Sequence, residues 1–193
     1  ASVIESGHIE GLALPRLTVL LPIYNEERDL AACLDRVLAS TIPIEIIAVD
    51  DCSTDATPHV VSAAAATHPT VHHLVMPEPG KSRALNAAIR STTAPLLAFV
   101  DDDVELDRDW LVAVDAYFAR TPAGAAQGTI RLPPEAAADP TLLAGVERWH
   151  TIPRCDYGPT VTDARSLTGA NMFVTRAAFA RVGARQRLQE RRA

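Results

Sequence analysis

Three carboxylates, Asp101, Asp102 and Asp103, stand side by side directly after the apolar run 96–100. Like charges this close raise one another's pKa and destabilise the fold unless positive charge sits among them. Asp101 and Asp103 flank a single residue, a D-x-D spacing of hard oxygen donors that suits Mg²⁺ or Mn²⁺. Glu105, two positions on, is a third candidate ligand. A nucleotide diphosphate would complete such a coordination shell. Lys81, after Gly80 at the mouth of a helical segment, offers a further positive charge to phosphate. A solvated acidic turn, with Asp107 or Asp109 capping the next helix, accounts for the triplet taken alone.

Strands alternating with helices must position these groups. The runs "LTVLLPI" (17–23), "IPIEIIAVD" (42–50), "VHHLVM" (71–76) and "PLLAFVD" (95–101) read as strands, the first too continuously apolar for a half-exposed sheet. Between them, 28–40, 55–68 and 81–91 read as helices, and 108–120 follows as another. In the first, Leu30, Cys33, Leu34, Val37 and Leu38 fall on one face. Pro58 sits in the first turn of the second, where its missing N–H costs nothing. This alternation predicts an α/β fold with a largely parallel sheet. Further on, a strand is expected over 124–132, an irregular loop over 133–140, a helix over 141–151, and a short strand at 170–174 leading into the helix "TRAAFARVG".

Ligands of open α/β sheets bind outside the carboxyl ends of the strands. The polar clusters "PIYNEE", "VDDCSTDAT", "MPEPGKSRALN" and "VDDDVE" end the four strands, so they converge on one rim, and three of the four are acidic. Each taken singly has a plainer explanation. Asp55 or Ser53 suits a helix cap, Lys81 an exposed charge and Tyr24 simple packing. His59, His68, His72 and His73 lack metal-site spacing and read as structural, and Trp110 and Trp149 as core or interface residues. Cys52 has no nearby His to make it a nucleophile.

The composition narrows the classes. The 193 residues suit one domain with a real core, 48 % hydrophobic and 22 % charged. A net charge of −6 argues against general nucleic-acid binding. Three scattered cysteines, Cys33, Cys52 and Cys155, make no disulfide framework or structural zinc site and fit a reducing, cytoplasmic compartment. No segment has the apolar length to span a membrane, and residues 1–16 do not read as a signal peptide. The expected organisation is a leader (1–16), one domain (17–183) and a basic tail (184–193). The arginines 181, 185, 187, 191 and 192 suit either a solvated helical tail or peripheral contact with an anionic membrane.

The segments "LPIYNEE" (21–27), "VDDCSTDAT" (49–57), "GKSRALNAAI" (80–89), "VDDDVELDRDWL" (100–111) and "TGANMFVTRAAFARVG" (168–183), in this order and spacing, resemble the inverting family 2 glycosyltransferases of GT-A fold. The resemblance covers roughly 17–183. It implies a metal-dependent enzyme that moves a sugar from a nucleoside diphosphate donor to an acceptor hydroxyl, with acceptor (lipid, glycan or protein) unspecified. By that resemblance Pro22, Tyr24 and Glu26 contact the nucleoside, Asp51 reads the base, and Lys81 and Asn86 line the nucleotide pocket. Asp101 and Asp102 belong to the donor site, Asp101 reaching the ribose or the metal. Asp103 holds the metal, with Glu105 as a further ligand, and "TGAN" faces sugar and acceptor.

One departure stands out. The acidic base motif that family members carry beyond the segment matching "TRAAFARVG" is not found in "ARQRLQERRA", and Asp156 and Asp163 are the nearest acidic residues upstream. Asp163 is the weak candidate for a general base. The expectation is thus an intact donor half and a shortened acceptor half. The alternatives are a nucleotide-sugar-binding module without catalysis, a fragment of a longer enzyme, or one completed by a partner. A nucleotidyltransferase fits less well, because "PIYNEE" is acidic where a basic Gly-rich loop is needed. A phosphoacceptor receiver domain has no place for D-x-D or "GKSRALN".

Overall fold

The computed structural model describes residues 15–131, 134, 138–141 and 167–182. In chain order these form β1 (Leu17–Ile23), α1 (Leu30–Leu38), β2 (Ile44–Asp50), α2 (Thr57–Thr67), β3 (Val71–Val75), α3 (Lys81–Ser91), β4 (Leu96–Val100), α4 (Trp110–Arg120), β5 (Ala125–Gln127), β6 (Asn171–Thr175) and α5 (Arg176–Val182). The six strands lie in one sheet, in the order β3-β2-β1-β4-β6-β5. β3, β2, β1 and β4 run parallel, while β6 is antiparallel to both β4 and β5.

Every residue of β1 and β4 is buried, as their unbroken apolar runs require of strands covered on both faces. Their side chains divide with period two. Leu17, Val19, Leu21 and Ile23 of β1, with Leu96, Ala98 and Val100 of β4, face α1, α2 and α4. Leu20, Leu97 and Phe99 face α3, joined by Met172 and Val174 of β6 and Phe179 of α5. Thr18, also fully buried, shares a 2.7 Å hydrogen bond with Thr92 and donates to Glu45 Oε2 at 2.7 Å. Burial pushes the Glu45 carboxyl up, but hydrogen bonds from His72, Thr92 and Thr18 outweigh it and hold the group below its ordinary value.

The parallel α/β reading of residues 17–120 holds, with element ends trimmed by no more than two residues. The expected strand over 124–132 is shorter, only Ala125–Gln127. At Gly128, next in the chain, an added Cβ would sit 2.2 Å from Asn171 Nδ2. One more ladder bond follows, from the Gly128 N–H to Asn171 O (3.0 Å) at the first residue of β6, and the Asn171 side-chain amide donates to Thr129 O (3.2 Å). The Asn171 Oδ1 also accepts from Trp110 Nε1 (2.9 Å), and the Trp110 ring packs on Phe173 with centroids 5.5 Å apart. Trp110, expected as a core or interface residue, is thus half-buried and packed against the core. The helix expected at 141–151, Trp149, Cys155, Asp156, Asp163 and both termini lie outside the described residues.

Candidate functional site

All four polar clusters meet at the carboxyl end of the parallel strands, and hydrogen bonds or ion pairs join each to the next. The loop after β1 and the loop after β2 are buckled together. The Asn25 N–H donates to Ser53 Oγ (3.1 Å), and Asn25 Oδ1 accepts from the Thr54 N–H (2.8 Å). The Glu26 N–H donates to the fully buried Thr57 Oγ1 (2.8 Å). Glu27 returns the favour by accepting from the Ala56 N–H at 2.9 Å. Asn25 takes φ +57° to do this, a left-handed conformation that Asn tolerates better than most residues. Asp55 accepts from the Thr57 N–H (3.0 Å) across a turn just before α2, but the N-cap position itself is Ala56, so neither Asp55 nor Ser53 caps the helix as expected.

The loop after β2 is tied in turn to the start of α3. Both Asp51 oxygens accept from the Gly80 N–H, at 2.7 and 2.9 Å. Gly80 has φ +153°, where L side chains are strained, so glycine is needed for its backbone alone. Cys52, at φ +68°, donates its thiol to Met76 O at 3.3 Å. This fixed start of α3 presents Lys81, whose Nζ lies 2.7 Å from Asp101 Oδ1. The circuit closes through α1: Arg36 donates to Glu105 Oε1 (2.9 Å) and to Leu106 O (3.2 Å). Leu106 is buried and anchors the far end of the acidic loop.

Charge is crowded at this rim. Burial, then the carboxylates of Glu26, Asp103 and Asp101, push Asp102 up to about 6, against a backbone hydrogen bond that lowers it. Beneath the loop, burial and the charges of Asp102 and Asp103 push the Cys33 thiol up to about 11. A cavity of about 360 Å³ opens beside the ion pair, with Lys81, Asn86 and Asp101 as its polar lining and Pro22, Phe99 and Met172 among its apolar walls. Gly169 also lines it, whereas Asn171 is committed to Trp110 and Thr129. Tyr24 is 56 % exposed on the rim.

The structure therefore brings Pro22, Lys81, Asn86 and Asp101 together and pins Asp51 and Glu26 in the adjoining loops. Glu105 is turned to Arg36 instead of toward Asp101. No group of three His, Cys, Asp or Glu side chains is gathered as a cation cage among the described residues. The donor set still suits a hard cation: adjacent carboxylates, one of them pushed up to about 6 by burial and then by its charged neighbours, whose shell a diphosphate would finish. Asn25, Thr57, Gly80 and Arg36 were not singled out from the sequence. Only Asn25 and Gly80 carried a local signal, as residues suited to positive φ. His72 pairs with Glu45 (3.2 Å), and His73 lies 3.9 Å from Asp50, consistent with structural histidines.

Known proteins place this architecture. A mannosyltransferase from Pyrobaculum calidifontis, PcManGT, solved in complex with GDP-Man and Mn²⁺, superposes with a TM-score of 0.65 at 27 % identity, over 89 % of this chain and 47 % of its own. The glycosyltransferase AglE of Haloferax volcanii is 30 % identical over 102 residues, 51 % of this chain and 34 % of its own. The beta-monoglucosyldiacylglycerol synthase of Nostoc is 31 % identical over 121 residues, 60 % of this chain and 26 % of its own. The chain thus spans at most about half the length of these relatives. The sheet and its helices form the GT-A fold shared with such neighbours. The model of Glycosyl transferase family 2 matches residues 18–175, and the chain belongs to that family.

Proposed function

We propose that this chain binds a nucleoside diphosphate sugar through a divalent cation and passes the sugar, with inversion, to an acceptor hydroxyl. The observation that carries this reading is the closed circuit at the strand ends, which sets Asp101 against Lys81 at one mouth of an open cavity. Pro22, Tyr24 and Glu26 would flank the nucleoside, and Asp51 the base, beside the Gly80 amide it already holds. Asp101 and Asp103 would ligate Mn²⁺ or Mg²⁺, with Asp102 in the donor pocket and Glu105 reaching the ion only by leaving Arg36. That PcManGT is solved with GDP-Man and Mn²⁺ supports the same ligand class here.

When bound, the cation supplies Lewis-acid stabilisation of the departing diphosphate. The chain's own contribution begins with Lys81, an ammonium on a flexible stem that can follow developing phosphate charge. Asn86, one turn and more along α3, faces the same cavity and orients the donor. The apolar walls limit water near the anomeric carbon and so favour transfer over hydrolysis. Attack from the opposite face calls for a base near the acceptor hydroxyl. Asp163 remains the candidate for it in this chain.

Thermal unfolding with UDP, GDP and their sugars, each with and without Mn²⁺, tests the reading. A ligand at a hundred times its Kd adds about 2.7 kcal/mol, which moves the midpoint by about 5–10 °C in a chain of this size. The reading expects a shift that needs nucleotide and metal together. No shift with any nucleotide would sink it, and a shift without sugar transfer to any acceptor would leave a binding module.

A further inference from the structure

The ion pair between Lys81 and Asp101 has a consequence for how the proposed donor site fills. Lys81 stands on a fixed base, because the preceding Gly80 N–H is held by both Asp51 oxygens. Its ammonium end is open to solvent and so free to be displaced: the side chain is 63 % exposed, against 29 % for Asp101. At 2.7 Å, Nζ sits directly on Asp101 Oδ1, one of the oxygens a divalent cation would take. Two cations cannot share that oxygen without strong repulsion. Glu105 has a comparable pair with Arg36, but its side chain is 82 % exposed, so solvent screens that contact far more.

We propose that Lys81 is an exchangeable counter-ion, which neutralises Asp101 until a divalent cation displaces it and then moves to the diphosphate. This rests on the donor-site reading above and deepens it. Lys81 then opposes cation binding on its own and favours diphosphate binding. Because binding free energies are reciprocal, the exchange makes cation and nucleotide each strengthen the other's binding. It also keeps the crowded acidic loop partly neutralised between turnovers, which answers the charge problem posed by the three aspartates.

The test is calorimetric titration of the full chain and its Lys81→Gln variant with Mn²⁺ alone, and with UDP or GDP in saturating Mn²⁺. The exchange predicts opposite signs. Mn²⁺ alone should bind Lys81→Gln roughly fivefold more tightly, and the nucleoside diphosphate roughly tenfold more weakly. If the parent binds metal and nucleotide but the variant leaves Mn²⁺ affinity unchanged or weakens it, the exchange is wrong and the donor site stands. If the parent binds neither, both fail. Should Lys81→Gln not fold, the ammonium ¹⁵N resonance of Lys81 in the parent, titrated with Mg²⁺, decides. Displacement from Asp101 must shift it, and a signal that does not move overturns the proposal.

Discussion

The two sides of the rim are held by different means. On the β1–β2 side, five side-chain-to-backbone hydrogen bonds lock the loops to each other, with Thr57 fully buried among them. On the β4 side, the acidic loop is tied to its neighbours by the Lys81 and Arg36 ion pairs, a carbonyl contact and the buried Leu106. Several hydrogen bonds from side chains to backbone, acting together and with the Glu26–Thr57 bond shielded from solvent, hold a loop's geometry, while single exposed ion pairs exchange readily with solvent and ligands. The contrast fits a pocket whose nucleoside wall is preformed and whose phosphate wall reorganises around charge.

The sharpest way to break that contrast is on the charged side. Asp103→Ala should remove Mn²⁺-dependent nucleotide binding, a loss of roughly a hundredfold or more, while Tm stays near that of the parent. Normal binding by this variant, measured by calorimetry, would void the metal assignment. Asp51→Ala attacks the preformed side, since it frees the Gly80 N–H. A loss of about 1.5–3 kcal/mol, or about 3–12 °C in Tm, should accompany weaker nucleotide binding. Thr57→Val deprives the Glu26 N–H of its acceptor and should cost about 1–2 kcal/mol, read in a denaturant midpoint. An unchanged midpoint would mean that the buckle is ornamental.

A smaller effect comes from pH. Burial pushes His73 below its ordinary value of 6.5, although the Asp50 charge opposes this. The unfolded chain therefore takes up the proton first as pH falls. This contribution to stability is complete above pH 6.5 and is lost as pH drops through the lower folded-state value. His73→Gln should flatten the fall in Tm below that point, and an identical pH profile would remove the assignment. Smallest of all, Arg36→Ala should cost less than about 1 kcal/mol, because its ion pair is exposed.

Much of this is legible in the sequence. β1 and β4 could be read because doubly covered strands need unbroken apolar runs, and the acidic loop could be read because three aspartates after such a run have few structural uses. The rim clusters were placed correctly for the same topological reason. What joins them was not legible. The Asp51–Gly80 contact spans 29 residues and Arg36–Glu105 spans 69, and neither leaves a local pattern. β5 is shorter than its sequence pattern suggests because its partner β6 starts at Asn171, a long-range pairing that the apolar pattern of 124–132 cannot show.

The most direct test is to map the cation on the protein. Backbone amide spectra of the parent, recorded with UDP or GDP and substoichiometric Mn²⁺, lose signals near the paramagnetic ion. The account predicts the strongest loss at residues 101–105 and 80–82, with the opposite, amino ends of the strands, at Leu17 and Ile44, least affected. Broadening centred on the histidine edge at His72 and His73, or spread without focus over the acidic surface, would contradict it.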